Sequence, residues 1–578
     1  MKTDLPLDSF APLFEPDPYD GEDSWQLTPF FSNLGQSVYA PFIFSPEIIG
    51  ALCSRTSRAA QDLRSIFLKE YIVPFIKPER EAKETDQDWQ KKQQYSADLN
   101  EFIAFLHAHP IEQIFSNPRA RSFYSKWLAQ YGDDSIAQMA GMHLVYASLS
   151  MLGIIHFEDQ RIGLAPIEKS TRYVDYSSKI NGKYCYYTDP TLKELGLEEM
   201  YTSAMDNLFD TYTTLLPQLS TWLKSQFPHE NPSVVEKKSF DTLRVLLPIS
   251  TLSQVAFFGN GQAFEYLVSR SLQHPLGEIR WAAERAYQEL YTVAPSFLRR
   301  IKDPERQELT RSYQEYLAHK SHQVAPFVDE LLPPHEHASD HEQYGPSVDL
   351  VEYDPEGENK VIAAMLYSAP NNHSSWNEIL GRVSALSPLE KQKIIDGYFT
   401  GRNERWQKVG RALENVYLRF DIVMNSGAWR DIHRHRMLTQ QRQHFSSSHG
   451  YDISPEIINA GFEQQYRTAV EQAEAAYRAI ARHDADLAQY ATTMAHRVRF
   501  MQWTNLRECF WEIELRTIPE GHPDYRHIEQ AKFRLIEKVY PLIAERMRVN
   551  LGEYDFARRG QDEKIQQKLR ELESLNSV

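Results

Sequence analysis

Apolar positions recur at helical spacing over most of this chain, and strand-like alternation is confined to short stretches. Residues 79–130, including KETDQDWQKKQQYSADLNEFIAFLHAH, read as helix. The run Gly132-Asp133-Asp134-Ser135 reads as a turn and N-cap, which predicts an apolar helix from Ile136 to Ile155. Phe462 to Ile480, rich in Ala, Glu, Gln and Arg, predicts a long surface helix. Val348 to Tyr353 alternates with one slip, at Leu350-Val351, and predicts a strand. Asn505, Glu508, Glu512 and Arg516 share one helix face, with Leu506, Phe510 and Ile513 on the other side. Asp562 to Leu575 reads as an exposed charged helix. The expected class is α/β (α+β), helix-rich.

The pattern occurs twice. Ala51-Leu52-Cys53-Ser54 parallels Met365-Leu366-Tyr367-Ser368, and Phe264 to Arg270 parallels Phe510 to Arg516. After both comes a His-Pro with a downstream arginine: His274-Pro275 with Arg280, and His522-Pro523 with Arg526. Units this long indicate domain duplication, not a solenoid. The stretch around PPHEHASDHEQY has a linker's composition. We therefore expect a first unit over 1–322, a linker over 323–346 and a second unit over 347–578. The first copy carries roughly 40 extra residues, a helical insertion at about 79–130. The two copies have decayed in different places. The first keeps Glu168-Lys169-Ser170-Thr171-Arg172-Tyr173; the second keeps Arg434-His435-Arg436 near the matching point. Complementary fragments imply one working site drawn from both.

Composition narrows the chemistry. A chain of 578 residues, 42% hydrophobic and 12% aromatic, can bury a large core in two or more domains. No long apolar run predicts a membrane helix, and no basic-then-apolar leader is expected at the start. Cys53, Cys185 and Cys509 are far apart, which fits a reducing, cytoplasmic setting and argues against disulfide or cysteine–zinc scaffolds. A net charge of −16 disfavours nucleic acid but leaves a small anion open to a locally basic pocket. Arg430, Arg434, Arg436 and Arg442, with His433 and His435 among them, form such a spot. They read either as a solvated helix face or as an anion site, and the flanking Ile432, Met437 and Leu438 favour the second. His335, His337, Asp340 and His341 could hold a divalent cation or belong to a solvated loop; no metal is assigned. No GxGxxG, P-loop or GxSxG motif is present.

Leu413 to Ile422 followed by Arg434-His435-Arg436 resembles the core of the flavin-dependent thymidylate synthases, whose signature opens on RHR. Asn505-Leu506-Arg507 through Leu515-Arg516 resembles that family's late helix. Arg244-Val245-Leu246-Leu247-Pro248 resembles its arginine-then-Leu-Pro element, and Ile167 to Tyr173 the end of its signature. The resemblance implies an FAD-dependent methyltransferase that converts dUMP to dTMP, with methylenetetrahydrofolate as carbon donor and NADPH as hydride source. It implies substrate contacts from Ser170, Arg172, Tyr173 and Arg244 on one subunit and from Arg434 and Arg516 on a neighbour, the last two as the catalytic pair. Glu168, His435, Arg436, Asn505 and Arg507 would hold the flavin. A family tetramer of single units implies a homodimer of this two-unit chain.

The resemblance also marks losses. Gln160-Arg161-Ile162 stands where the first copy should have RHR, and Gly259 where it should have Asn. The second copy has Arg442, His444 and Ser446 for the signature's Glu, Ser and Arg, and Tyr490 for the Leu-Pro arginine. Asp431 replaces a glutamine one helical turn before RHR and would repel phosphate unless an arginine pairs with it. A histidine-bearing flavin motif is reduced to the segment from Gly132 to Met139. Three readings follow: the synthase itself, a silent nucleotide-binding paralogue with a regulatory or scaffolding role, or a flavoenzyme acting on another uridine-type nucleotide. Without the resemblance, the Asn505–Arg516 face also reads as an ordinary amphipathic helix with a Glu512–Arg516 pair. Ser170 and Arg172 likewise read as a helix cap beside a surface arginine.

Overall fold

The computed structural model describes residues 5–109, 137–160, 162–332, 345–556 and 567–571. They form two compact units that cut across the repeat. The first takes Met1–Asp210, Leu247–His335 and Glu471–Ala491; the second takes Thr211–Leu246, Glu336–Val470 and Thr492–Val578. Each copy thus lends one segment to the unit built mainly by the other.

In the first unit a four-stranded antiparallel sheet has the order β1 (Val38–Tyr39), β2 (Gly141–Ser150), β4 (Leu252–Asn260), β3 (Leu164–Glu168). The apolar helix expected from Ile136 to Ile155 is wrong: half of that run is strand β2, followed by a short helix. A segment apolar on both sides has no period that separates a buried strand from a buried helix. Here Leu144, Val145, Tyr146 and Leu149 are all buried on an inner strand. Gly132 to Ser135 and Ile136 lie outside the described residues. The expected insertion contains α1 (Asp86–Ala108), capped by Thr85; Ile103 and Leu106 join a core cluster with Leu27, Phe30 and Phe67. Residues 110–130 lie outside the described part.

The second unit has the same sheet, in the order β5 (Ser347–Glu352), β6 (Tyr417–Asn425), β8 (Arg497–Asn505), β7 (Thr439–Arg442), again antiparallel throughout. Strand β5 is the one expected. Its register against β6 shifts between Leu350 and Glu352, where the alternation slips, so the irregular pattern records a bulge. The helix expected from Phe462 spans Glu463–Ala481. All-antiparallel sheets under many helices make this a helix-rich α+β protein. Of the charged C-terminal stretch, 567–571 are described, helical and exposed. No helix among the described residues is long and apolar enough to cross a membrane.

One local device builds both units. Each long strand ends in a residue whose side chain caps the next helix. Ser150 accepts from Gly153 N–H at 3.0 Å, opening α2 (Met151–Glu158). Asn260 accepts from Ala263 at 2.8 Å, opening α3 (Gly261–Ser271). Asn425 accepts from Ala428 at 2.8 Å, opening α4 (Ser426–His433), and Asn505 from Glu508 at 2.9 Å, opening α5 (Leu506–Arg516). Such a cap stabilises by about 1 kcal/mol and fixes which residue starts the helix.

Candidate functional site

The RHR run begins where α4 ends: Arg434 is the C-cap and Asp431 lies in the last turn. Asp431 is only 8% exposed, and three guanidinium groups converge on it. Its Oδ1 lies 3.6 Å from Arg434 Nη1 and 3.6 Å from Arg516 Nη1; its Oδ2 lies 4.0 Å from Arg244 Nη2. Arg244 also donates to the Gly427 carbonyl at 3.2 Å. The first copy's lent segment is tied in by Lys238 to Glu456 at 2.5 Å and by the Ala495 N–H to the Val245 carbonyl at 2.9 Å. Arg244 therefore shares a unit with Arg434 and Arg516. The pairing that Asp431 needed is made three times over.

His435 sits behind this cluster, buried, with both ring nitrogens engaged. Nδ1 meets Glu508 Oε1 at 3.0 Å, and Arg516 Nε donates to Nε2 at 2.9 Å. Glu508 and Arg516 occupy the helix face expected from sequence, but the alternative Glu512–Arg516 pair is not how Glu512 is used. Glu512 is fully buried and meets Lys532 Nζ at 2.7 Å, with Gln502 donating to its other oxygen at 2.9 Å. Lys532 reaches Glu529 at 3.2 Å as well. Burial pushes Glu529 well above the carboxylate range, and the Glu512 charge adds to that. Burial also opposes the charges of Glu512 and Lys532, yet their mutual attraction outweighs it, leaving Glu512 lowered and Lys532 raised. A buried pair of this kind defines geometry more surely than it adds stability.

The remaining arginine-cluster residues divide by side. Arg430 and His433 point inward; His433 stacks on Trp429 with ring centroids 4.6 Å apart, and Arg430 Nη1 lies 3.4 Å from the Met494 sulfur. Arg442 lies over the Phe445 ring at 4.3 Å. Arg436 is half-buried. Asn505 spends its side-chain oxygen on the helix cap, and Arg507 is ion-paired with Glu414. In the first unit, Glu168 ends strand β3, and Ser170 Oγ accepts from the Arg172 N–H at 3.2 Å in a turn. Arg172 is buried, so the reading of a surface arginine beside a helix cap fails: the segment is a turn and its arginine faces inward. Tyr173 has Arg58 over its ring at 5.8 Å. His335, His337, Asp340 and His341 lie outside the described residues, as does Arg161.

Equivalent hydrogen bonds put the two copies in register. In the first unit Met151 and Leu152 N–H donate to the Thr251 and Ile249 carbonyls; in the second, Ser426 and Gly427 donate to His496 and Met494. Counted from these, Arg434, His435 and Arg436 match Asp159, Gln160 and Arg161. Arg244 matches Gln489, and Asn505 matches Asn260. Three expected correspondences, at Gln160, Gly259 and Tyr490, are therefore each off by one residue. Matching apolar letters cannot fix a register to one residue, whereas caps and crossed hydrogen bonds do. The first copy thus keeps its Asn. Its counterparts of Asp431 and Arg516 are His156 and Ser271, hydrogen-bonded to each other at 2.9 Å. The strand ladders support the other matches: Glu168 pairs with Val255 as Arg442 pairs with the equivalent Phe500.

Sequence reasoning missed the parts played by Glu508 and Lys532. Glu508 was visible as one position of a helix face; the histidine it holds is far away in the chain. Nothing in the pattern around Lys532 signals a buried ammonium.

The family model described as thymidylate synthase complementing protein matches this chain twice, over residues 78–296 and 349–542. A UPF0159 protein of Chlamydia pneumoniae is 32% identical over 528 residues, covering 89% of this chain and 92% of its own. One of Chlamydia muridarum is 31% identical over 562 residues, covering 94% and 98%. A solved UMP/dUMP methylase, PolB of Streptomyces cacaoi bound with 5-Br dUMP, shares 14% identity. It covers 36% of this chain and 97% of that one with a TM-score of 0.27, too low a likeness to inform the chemistry.

Proposed function

The chain belongs to the thymidylate synthase complementing protein family, and on that premise we propose that it is a flavin-dependent thymidylate synthase-like methyltransferase of the cytoplasm. In this reading it methylates dUMP at the uracil C5, with methylenetetrahydrofolate as carbon donor and NADPH as hydride source. The observation that supports it best is the convergence of Arg244, Arg434 and Arg516, from two copies of a repeat, on one small volume. Guanidinium groups so grouped suit the oxygens of a nucleotide phosphate. Arg434 and Arg516 are the proposed catalytic pair, placed to favour electron density on a uracil carbonyl oxygen and so activate the ring without a covalent nucleophile. Ser170, Arg172 and Tyr173 are the proposed further substrate contacts. A homodimer, holding four units, is the proposed assembly.

Bound FAD would supply the electron transfer, leaving the protein to position it and tune its charge. The donor set fits it in part. Arg436 and Asn505 are half-exposed polar side chains suited to ring oxygens or phosphates, and Glu168 is the proposed contact from the first unit. His435 has no ring nitrogen left to offer, and the Arg507 guanidinium is paired. That engagement favours one second reading, a silent paralogue that keeps nucleotide binding. Purified protein separates the two. A flavin absorption band with rescue of a thymidine-requiring strain supports the synthase; dUMP binding by a colourless, non-complementing protein supports the paralogue.

A further inference from the structure

We propose that Glu508 is a positioning residue that sets the tautomer of His435 and, through it, the aim of Arg516. Arg516 Nε–H can only donate, and it lies 2.9 Å from His435 Nε2, so that nitrogen carries a lone pair. The ring proton is then on Nδ1, 3.0 Å from Glu508 Oε1, which accepts it. The opposite tautomer would put two N–H groups face to face and leave Glu508 against a bare nitrogen. A doubly protonated ring would also oppose the guanidinium. Neutral Nδ1–H imidazole is the one form that satisfies both neighbours.

The carboxylate is itself held. Glu508 stands in the first turn of α5, where its backbone N–H is bound by Asn505 and the helix terminus favours negative charge. Arg516 lies two turns along the same face, so helix and histidine form a closed brace with Arg516 Nε fixed at one end. Its Nη1 is left for Asp431 at 3.6 Å and for a ligand anion. This role needs no flavin contact and accounts for a histidine enclosed between a carboxylate and a guanidinium. Its consequence for nucleotide binding rests on the reading above, whereas the tautomer does not.

The test uses the full chain labelled with ¹⁵N-histidine, His435 being assigned by its loss in His435→Gln. We expect the Nδ1–H tautomer in the wild type and in Glu508→Gln, whose amide oxygen still accepts. Glu508→Leu should lose it. In dUMP titrations Glu508→Gln should stay within about threefold of wild type and Glu508→Leu should weaken binding about tenfold. Combined with Arg516→Ala, Glu508→Leu should add almost nothing, the sign of two residues acting as one. An Nε2–H tautomer in the wild type, or full additivity of the two losses, overturns the proposal. Absence of dUMP binding by a wild type with the expected tautomer overturns the nucleotide reading alone.

Discussion

Arg244 and Asp431 belong to different copies of a repeat, yet Arg244 Nη2 lies 4.0 Å from Asp431 Oδ2 inside one compact unit. The first copy reaches that position because its segment Thr211–Leu246 is built into the second unit. A duplicated chain that exchanges segments in this way can lose residues from each copy and still hold one complete cluster. The loss is visible at the equivalent place in the first unit, where Gln489, His156 and Ser271 stand for Arg244, Asp431 and Arg516.

On the proposed reading, Asp431 acts as a brake on anion affinity. Its charge balances part of the three arginines, so Asp431→Asn should tighten dUMP binding by about tenfold at low salt, less as salt screens the site. Deoxyuridine, without the phosphate, should bind both proteins alike. Parallel calorimetric titrations check this, and weaker dUMP binding by Asp431→Asn would mean that the carboxylate chiefly organises the arginines.

Lys532 is fully buried between Glu512 and Glu529, so Lys532→Met should destabilise the second unit by about 3–5 kcal/mol by leaving the buried Glu512 carboxylate without its cation. Urea unfolding followed by tryptophan fluorescence measures it. A triple change to Met, Gln and Gln at 532, 512 and 529 should recover much of the loss.

Glu278 links the first unit to stability against pH. It is fully buried, accepts from Ser150 and from Tyr490 Oη at 2.7 Å, and burial pushes it from 4.5 to about 7. The folded state therefore prefers the protonated acid. Its contribution is full below the unfolded value near 4.5 and is lost as pH rises through about 7. Relative to Glu278→Gln, the wild type should lose about 3 kcal/mol between pH 4.5 and 8. Denaturant midpoints of both proteins across that range report it; parallel pH profiles would place the carboxyl in water.

Much of this organisation is legible in the chain. The slip at Leu350-Val351 becomes a bulge, the Asn505–Arg516 face becomes one side of a helix, and the complementary decay of the copies points to a shared cluster. What escapes pattern reading has physical causes. Strand β2 is apolar on both sides and carries no period. The one-residue registers at Asp159, Asn260 and Gln489 are set by caps and crossed hydrogen bonds that letter matching does not see. The engagement of His435 by Glu508 joins two turns distant in sequence, and only tertiary packing brings them together.

If one anion site draws on both copies, dUMP titration of four alanine variants should show it. Arg244→Ala removes a buried charge-assisted contact and should cost about 1.5–3 kcal/mol, ten- to a hundredfold in affinity. Arg434→Ala, half-exposed, should fall at the low end of that range. Asp159→Ala and Gln489→Ala, at the equivalent places in the other unit, should bind as the wild type does. Four equal affinities would contradict a composite site, as would losses confined to Arg434.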